Sequence, residues 1–110
     1  MAEFISQIEM CGVNALWYKT YDFCPGADFN TRKKVFMDVL FRILESGQAK
    51  LQRKDEILTC TIEQQVAAFN QAWPDEHDWD DDFFWESKEG VGWTPSGLVW
   101  IAKDGREFWT

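Results

Sequence analysis

The chain has 110 residues, 45% of them apolar and 16% aromatic, and a formal net charge of −8. That length supports one domain with its own core, and that composition excludes a disordered chain. The negative charge disfavours nucleic acid and anionic membranes as partners, because phosphates are repelled, and favours a basic protein or a cation. A net charge of this size also serves solubility by itself.

The charge is unevenly placed. Residues 1–55 carry eight Lys/Arg against seven Asp/Glu, whereas residues 56–110 carry three against twelve. Cys11, Cys24 and Cys60 are odd in number, widely spaced and without a C-x-x-C pattern. No basic stretch followed by an apolar run opens the chain, and no apolar run approaches the roughly 20 residues that a membrane-spanning helix needs. These features predict a cytoplasmic protein with three reduced thiols that serve as small buried hydrophobes.

In chain order, residues 2–20 read as a helix. Phe4, Ile8, Cys11, Ala15 and Tyr18 recur at steps of three and four, while Met10, Val13 and Trp17 form a second stripe. Two stripes imply either burial on two faces or an irregularity at Gly12. Residues 22–30 read as a loop punctuated by Pro25-Gly26, with Asn30 as the predicted N-cap of the next helix. There Phe36, Val39, Leu40, Ile43 and Leu44 follow the i, i+3, i+4, i+7, i+8 pattern, with Met37 and Phe41 at its edge. Lys34, Asp38, Arg42 and Glu45 take the far side, and Gly47 supplies the stop. The run Arg32-Lys33-Lys34 opens this helix against its macrodipole. It predicts a solvated basic face, or a carboxylate close by.

A short strand is predicted near 49–53, with a loop after it. Thr61 and Gln64 make a capping box that starts a third helix. Ile62, Val66, Phe69 and Trp73 line one side of it, and Pro74 ends it at Trp73. The ending GLVWIAKDGREFWT reads as a hairpin about Asp104-Gly105. A two-residue type I′ turn there pairs Ile101 with Phe108 and Trp100 with Trp109. Val99, Ile101 and Phe108 then share one face, and Leu98, Trp100 and Trp109 the other. Both faces are apolar, so each needs cover: helices on one side, the preceding aromatic loop on the other. A third strand from 83–86 or from near 51 completes the sheet. The predicted fold is α+β over residues 1–110 as a single domain, about three helices followed by a small antiparallel sheet ending in a C-terminal β-hairpin.

Between the third helix and the hairpin lies WPDEHDWDDDFFWESKE, residues 73–89, with eight carboxylates and Lys88 as its one Lys or Arg. Trp73, Trp79, Phe83, Phe84 and Trp85 interrupt the acids, which an acidic disordered tail does not show. Asp78, Asp80, Asp82 and Glu89 fall at positions 1, 3, 5 and 12 of a calcium loop, but Phe83 stands where that loop needs Gly. His77 is the sole histidine, and acids on both sides favour its imidazolium form and make it a poor base if they lie close in space. Cys24 lacks a positive environment in the sequence that would favour a thiolate. Nothing singles out a catalytic carboxylate pair, although a small carboxylate-dependent hydrolase stays open as a minor alternative. The prediction is therefore a binding protein without catalytic residues, metal or cofactor. Asp78, Asp80, Asp81, Asp82 and Glu86 are the predicted contact charges, with Trp79 and Trp85 as anchors.

The last fourteen residues, with Trp100, Asp104, Gly105 and Trp109 as their framework, resemble the closing motif of a small bacterial family of unknown function. A helix ending in Trp73-Pro74 and then an acidic, aromatic loop is similar to that family's layout. The resemblance implies a place near secreted or contact-dependent toxin systems. It thus implies an immunity protein that neutralises a basic toxin domain, such as a nuclease, and it brings no catalytic residues with it. The other reading of the same residues is a general interaction module or adaptor, or a homodimer, with no toxin partner.

Overall fold

A computed structural model describes residues 2–76 and 95–110. The described elements run α1 (Ala2–Ile8), α2 (Val13–Phe23), α3 (Phe29–Ser46), β1 (Ala49–Arg53), β2 (Glu56–Ile57), α4 (Ile62–Ala72), β3 (Gly97–Ile101) and β4 (Glu107–Trp109). The class is α+β, with the sheet order β2-β1-β3-β4 and every pairing antiparallel. One further helix, α4, stands between the two hairpins of that sheet.

The first helical stretch is broken rather than buried on two faces. Met10 takes a left-handed conformation, φ 66°, and Gly12 is extended as the N-cap of α2. The break re-aims the second half, so that Val13, Leu16, Trp17 and Thr20 face the core and Tyr18 is exposed. The stripe from Ile8 through Tyr18 is therefore not continuous. The helix also runs three residues past the predicted end, to Phe23.

α3 is capped by Asp28 and not by Asn30. The Asp28 carboxylate accepts the Thr31 backbone N–H at 2.8 Å, which satisfies one orphan donor of the first turn. Hydrogen bonding from the Thr31 side chain, then from its backbone, holds this carboxyl below its ordinary value of 3.8, and the Lys34 charge acts in the same direction. The helix ends at Gly47 in the left-handed region, φ 78°. Its apolar stripe is buried as the spacing requires, at Phe36, Val39, Leu40, Ile43 and Leu44, and Met37 packs partly buried against the same cluster.

The segment after β1 is a hairpin and not a loop. Lys54 and Asp55 both have positive φ, 52° and 66°, and turn the chain so that Gln52 pairs Ile57 and Arg53 pairs Glu56. The Gln52 amide oxygen accepts the Asp55 N–H at 3.2 Å and steadies a turn that lacks Gly or Asn. The Thr61 and Gln64 capping box is present on α4, and Trp73 ends that helix in an extended conformation ahead of Pro74.

At the C-terminal hairpin the register differs by one residue from the sequence expectation. Val99 pairs Trp109, Trp100 pairs Phe108 and Ile101 pairs Glu107. Gly105 N–H donates to the Ala102 carbonyl and Ala102 N–H to the Arg106 carbonyl, both at 2.9 Å. Gly105 has φ +88° while Asp104 stays at negative φ, the pattern of a three-residue loop whose left-handed glycine forms a bulge. The extra loop residue exchanges the faces of β4. Phe108 joins Leu98 and Trp100, and Trp109 joins Val99 and Ile101. Of the two predicted sources of a third strand, the one near 51 pairs with β3, Leu51 opposite Leu98 and Ala49 opposite Trp100.

The core lies between the helices and one face of this sheet. Ile8, Leu16 and Trp17 meet Phe36, Leu40, Ile43, Phe69 and Trp73 from the helices, and Ala49, Leu51, Leu98 and Trp100 from the strands. The Trp100 indole N–H donates to the Cys11 carbonyl at 2.7 Å, tying the turn between α1 and α2 to the centre of the sheet.

Candidate interaction surface

The chain has a described contact on each side of the acidic segment, at Trp73 and at Pro95. At the first, Trp73 is 8% exposed, with its ring 5.3 Å from that of Trp17 and 4.9 Å from that of Phe36, both edge-on. Pro74 follows, and Asp75 and Glu76 are exposed. At the second, the Pro95 carbonyl accepts from the Arg53 guanidinium at 2.7 Å, and Ser96 is buried ahead of β3. Trp73 thus places the start of the segment on the helical core, and Arg53 holds Pro95, six residues after Glu89, beside β1. The residues predicted to meet a partner, Asp78, Trp79, Asp80, Asp81, Asp82, Trp85 and Glu86, lie between these points and outside the described residues. So do His77, the calcium-loop positions, the strand suggested at 83–86 and any cover these rings give the hairpin.

The basic run on α3 is divided by function. Arg32 is 5% exposed, so it is not part of a solvated face. Its guanidinium lies 3.9 Å from the centre of the Trp17 ring and also over the Tyr21 ring. Nε donates to the Thr20 hydroxyl at 3.0 Å and Nη2 approaches the Trp17 carbonyl at 3.4 Å. A buried cation normally requires an anion, but among the described residues ring faces, a hydroxyl and main-chain oxygen serve Arg32 instead. Lys33 and Lys34 stay at the surface with Asn30, Met37 and, from α4, Asn70, lining a groove of about 440 Å³. Lys33 lies 5.9 Å from the Trp73 ring, so the groove abuts the start of the acidic segment.

Among the described residues, two groups of aromatic side chains reach solvent: Tyr18, Tyr21 and Phe23 on α2, and Phe108 and Trp109 on β4. Sequence periodicity placed Tyr18 in a buried stripe and missed this face, although the Gly12 break could have signalled it. No three His, Cys, Asp or Glu side chains among the described residues gather as metal ligands. The Cys24 thiol donates to the Thr20 carbonyl at 3.0 Å, an intrahelical contact. Cys11 and Cys24 are half-buried and Cys60 is exposed, so the three free thiols are not the buried hydrophobes that were expected. No described helix is long and apolar enough to cross a membrane.

The described elements define a small α+β protein. Residues 44–110 match the family model described as a protein of unknown function, DUF596, and the chain belongs to that family. Among solved structures it is similar to an uncharacterized protein conserved in bacteria, from Neisseria meningitidis. The two share 29% sequence identity with a TM-score of 0.77, over 98% of this chain and 82% of the other. No curated protein matches. The family is thus a small bacterial one, and the two-hairpin sheet with α4 between its hairpins falls within the matched residues.

Proposed function

We propose that this protein acts in the cytoplasm as an immunity-type inhibitor, binding a basic toxin domain and occluding it with the segment 75–89. The single observation that carries this reading is the concentration of charge. Eight of the nineteen carboxylates fall within residues 73–89, with Lys88 the one Lys or Arg among them. Trp73 at the start of that segment packs on the helix core, and Pro95, six residues after its last acid, is held to Arg53 of β1. Tethering both ends lowers the ordering cost of binding, and clustered carboxylates steer a cationic cleft at rates that depend on ionic strength. Trp79 and Trp85 supply affinity as anchors within a charged rim. A nuclease domain fits this chemistry, since its cleft is built to attract phosphates. The direct test is co-expression with the product of the adjacent gene: a stable complex that also abolishes that product's toxicity supports the reading, and neither binding nor rescue contradicts it.

A further inference from the structure

We infer that β4 is an open sheet edge that pairs with β4 of a second copy, joining the two sheets into one continuous antiparallel sheet. The strand lies at the end of the order β2-β1-β3-β4, and its three residues are all exposed. The hydrogen-bond parity shows which groups face outward. Ala102 N–H donates to Arg106, and Thr110 N–H to Leu98, so the even-numbered residues 106, 108 and 110 point their main-chain groups at β3. The N–H and C=O of Glu107 and Trp109 therefore point away from the sheet, and no described residue meets them. Unpaired strand edges of this kind are templates for another strand.

Two further observations favour a second copy as the occupant. The first is an apolar shoulder beside the edge. Phe108 is 37% exposed and Trp109 44%, one on each face of β4. The turn carrying Met10, 49% exposed, is drawn to the end of β4: a Cβ on Gly12 would lie 3.9 Å from the Thr110 hydroxyl. The second is self-complementarity. With outward groups on odd residues, the symmetric register sets Glu107 opposite Trp109 of the second copy, Phe108 opposite Phe108, and Arg106 opposite Thr110. No charge then stands directly opposite its like, and the aromatic pair falls at the closer, non-hydrogen-bonded position. An in-phase register centred on Glu107 would instead oppose two carboxylates. The short strand and the −8 charge on each chain keep the dimer weak, and they make it tighter at higher ionic strength.

The test uses the full chain. Sedimentation velocity from about 10 μM to about 1 mM should show a monomer–dimer equilibrium that shifts toward dimer with added salt. Amide exchange read residue by residue should show Glu107 and Trp109 gaining protection as concentration rises, while Phe108 stays protected throughout. Glu107→Pro removes one outward donor without touching the β3 ladder and should weaken the dimer by about tenfold or more, with an unchanged circular dichroism spectrum. Trp109→Lys should weaken it as well. A monomer across the whole range overturns the proposal. So does a dimer in which the two amides exchange as freely as in the monomer, or protection of those amides that another protein alone confers.

Discussion

The Trp73 indole stands edge-on to that of Trp17 with ring centroids 5.3 Å apart, and this contact fixes where the acidic segment leaves the core. Trp73 is buried although it follows the last turn of α4, because Pro74 forces it into an extended conformation that turns the ring inward against α2 and α3. Trp73→Ala should cost about 3–5 kcal/mol in equilibrium denaturation, and Trp73→Phe clearly less. A cost for the alanine variant below about 1 kcal/mol would show that the ring does not anchor the segment.

Arg32 makes a second prediction. Its planar guanidinium is stacked on Trp17 and Tyr21 and hydrogen-bonded to Thr20, a set of contacts that an ammonium cannot reproduce. Arg32→Lys should destabilise the fold by about 1–2 kcal/mol, and Arg32→Ala by more, since the aliphatic stem is lost as well. Were Arg32 a solvated charge, both changes would stay within about 0.5 kcal/mol in the same denaturation experiment.

Trp100→Phe keeps most of a buried ring but removes the donor to the Cys11 carbonyl. The expected cost is about 1–3 kcal/mol, and amides of residues 10–12 should exchange faster because their tie to the sheet is gone. Unchanged exchange there would place the hold on that turn elsewhere.

Asp28 gives a pH dependence with a definite sign. Its folded-state carboxyl is held below the ordinary 3.8 by the bonds from Thr31, so it binds protons less readily when folded than when unfolded. The stabilisation is present above the unfolded value and is lost as pH falls through the lower folded value. Asp28→Asn keeps a capping acceptor that does not titrate. Denaturation midpoints of the two proteins should therefore differ most above pH 4, with the aspartate protein more stable, and converge as the solution is acidified further. A gap that widens with acidification would contradict the assignment.

Much of the fold was legible because several signals agreed with tertiary packing. On α3 the apolar stripe and Gly47 pointed to the same helix, and the capping box of α4 specified a helix start through two reciprocal bonds. What misled was local chemistry with two solutions. Asp28 and Asn30 are both good caps, and the acceptor two residues earlier in the chain opens the helix. Asp104-Gly105 fits both a two-residue turn and a three-residue loop with a glycine bulge, and the choice exchanges the faces of Phe108 and Trp109. Lys54-Asp55 turns the chain without a turn signature because Gln52 supplies the missing bond. The buried state of Arg32 was hidden because its partners, Trp17 and Tyr21, belong to another helix. At the candidate interaction surface, the sequence indicated the charge of the 75–89 segment, and the fold adds the contacts of Trp73 before it and Pro95 after it.

The most direct test of the binding account is the salt dependence of affinity for the adjacent gene's product, measured for the native chain and for the triple change Asp80→Ser, Asp81→Ser, Asp82→Ser. The account predicts that native affinity falls steadily with ionic strength, and that the triple variant binds at least about tenfold more weakly with a shallower slope. Native and variant chains with the same affinity and the same slope would contradict it.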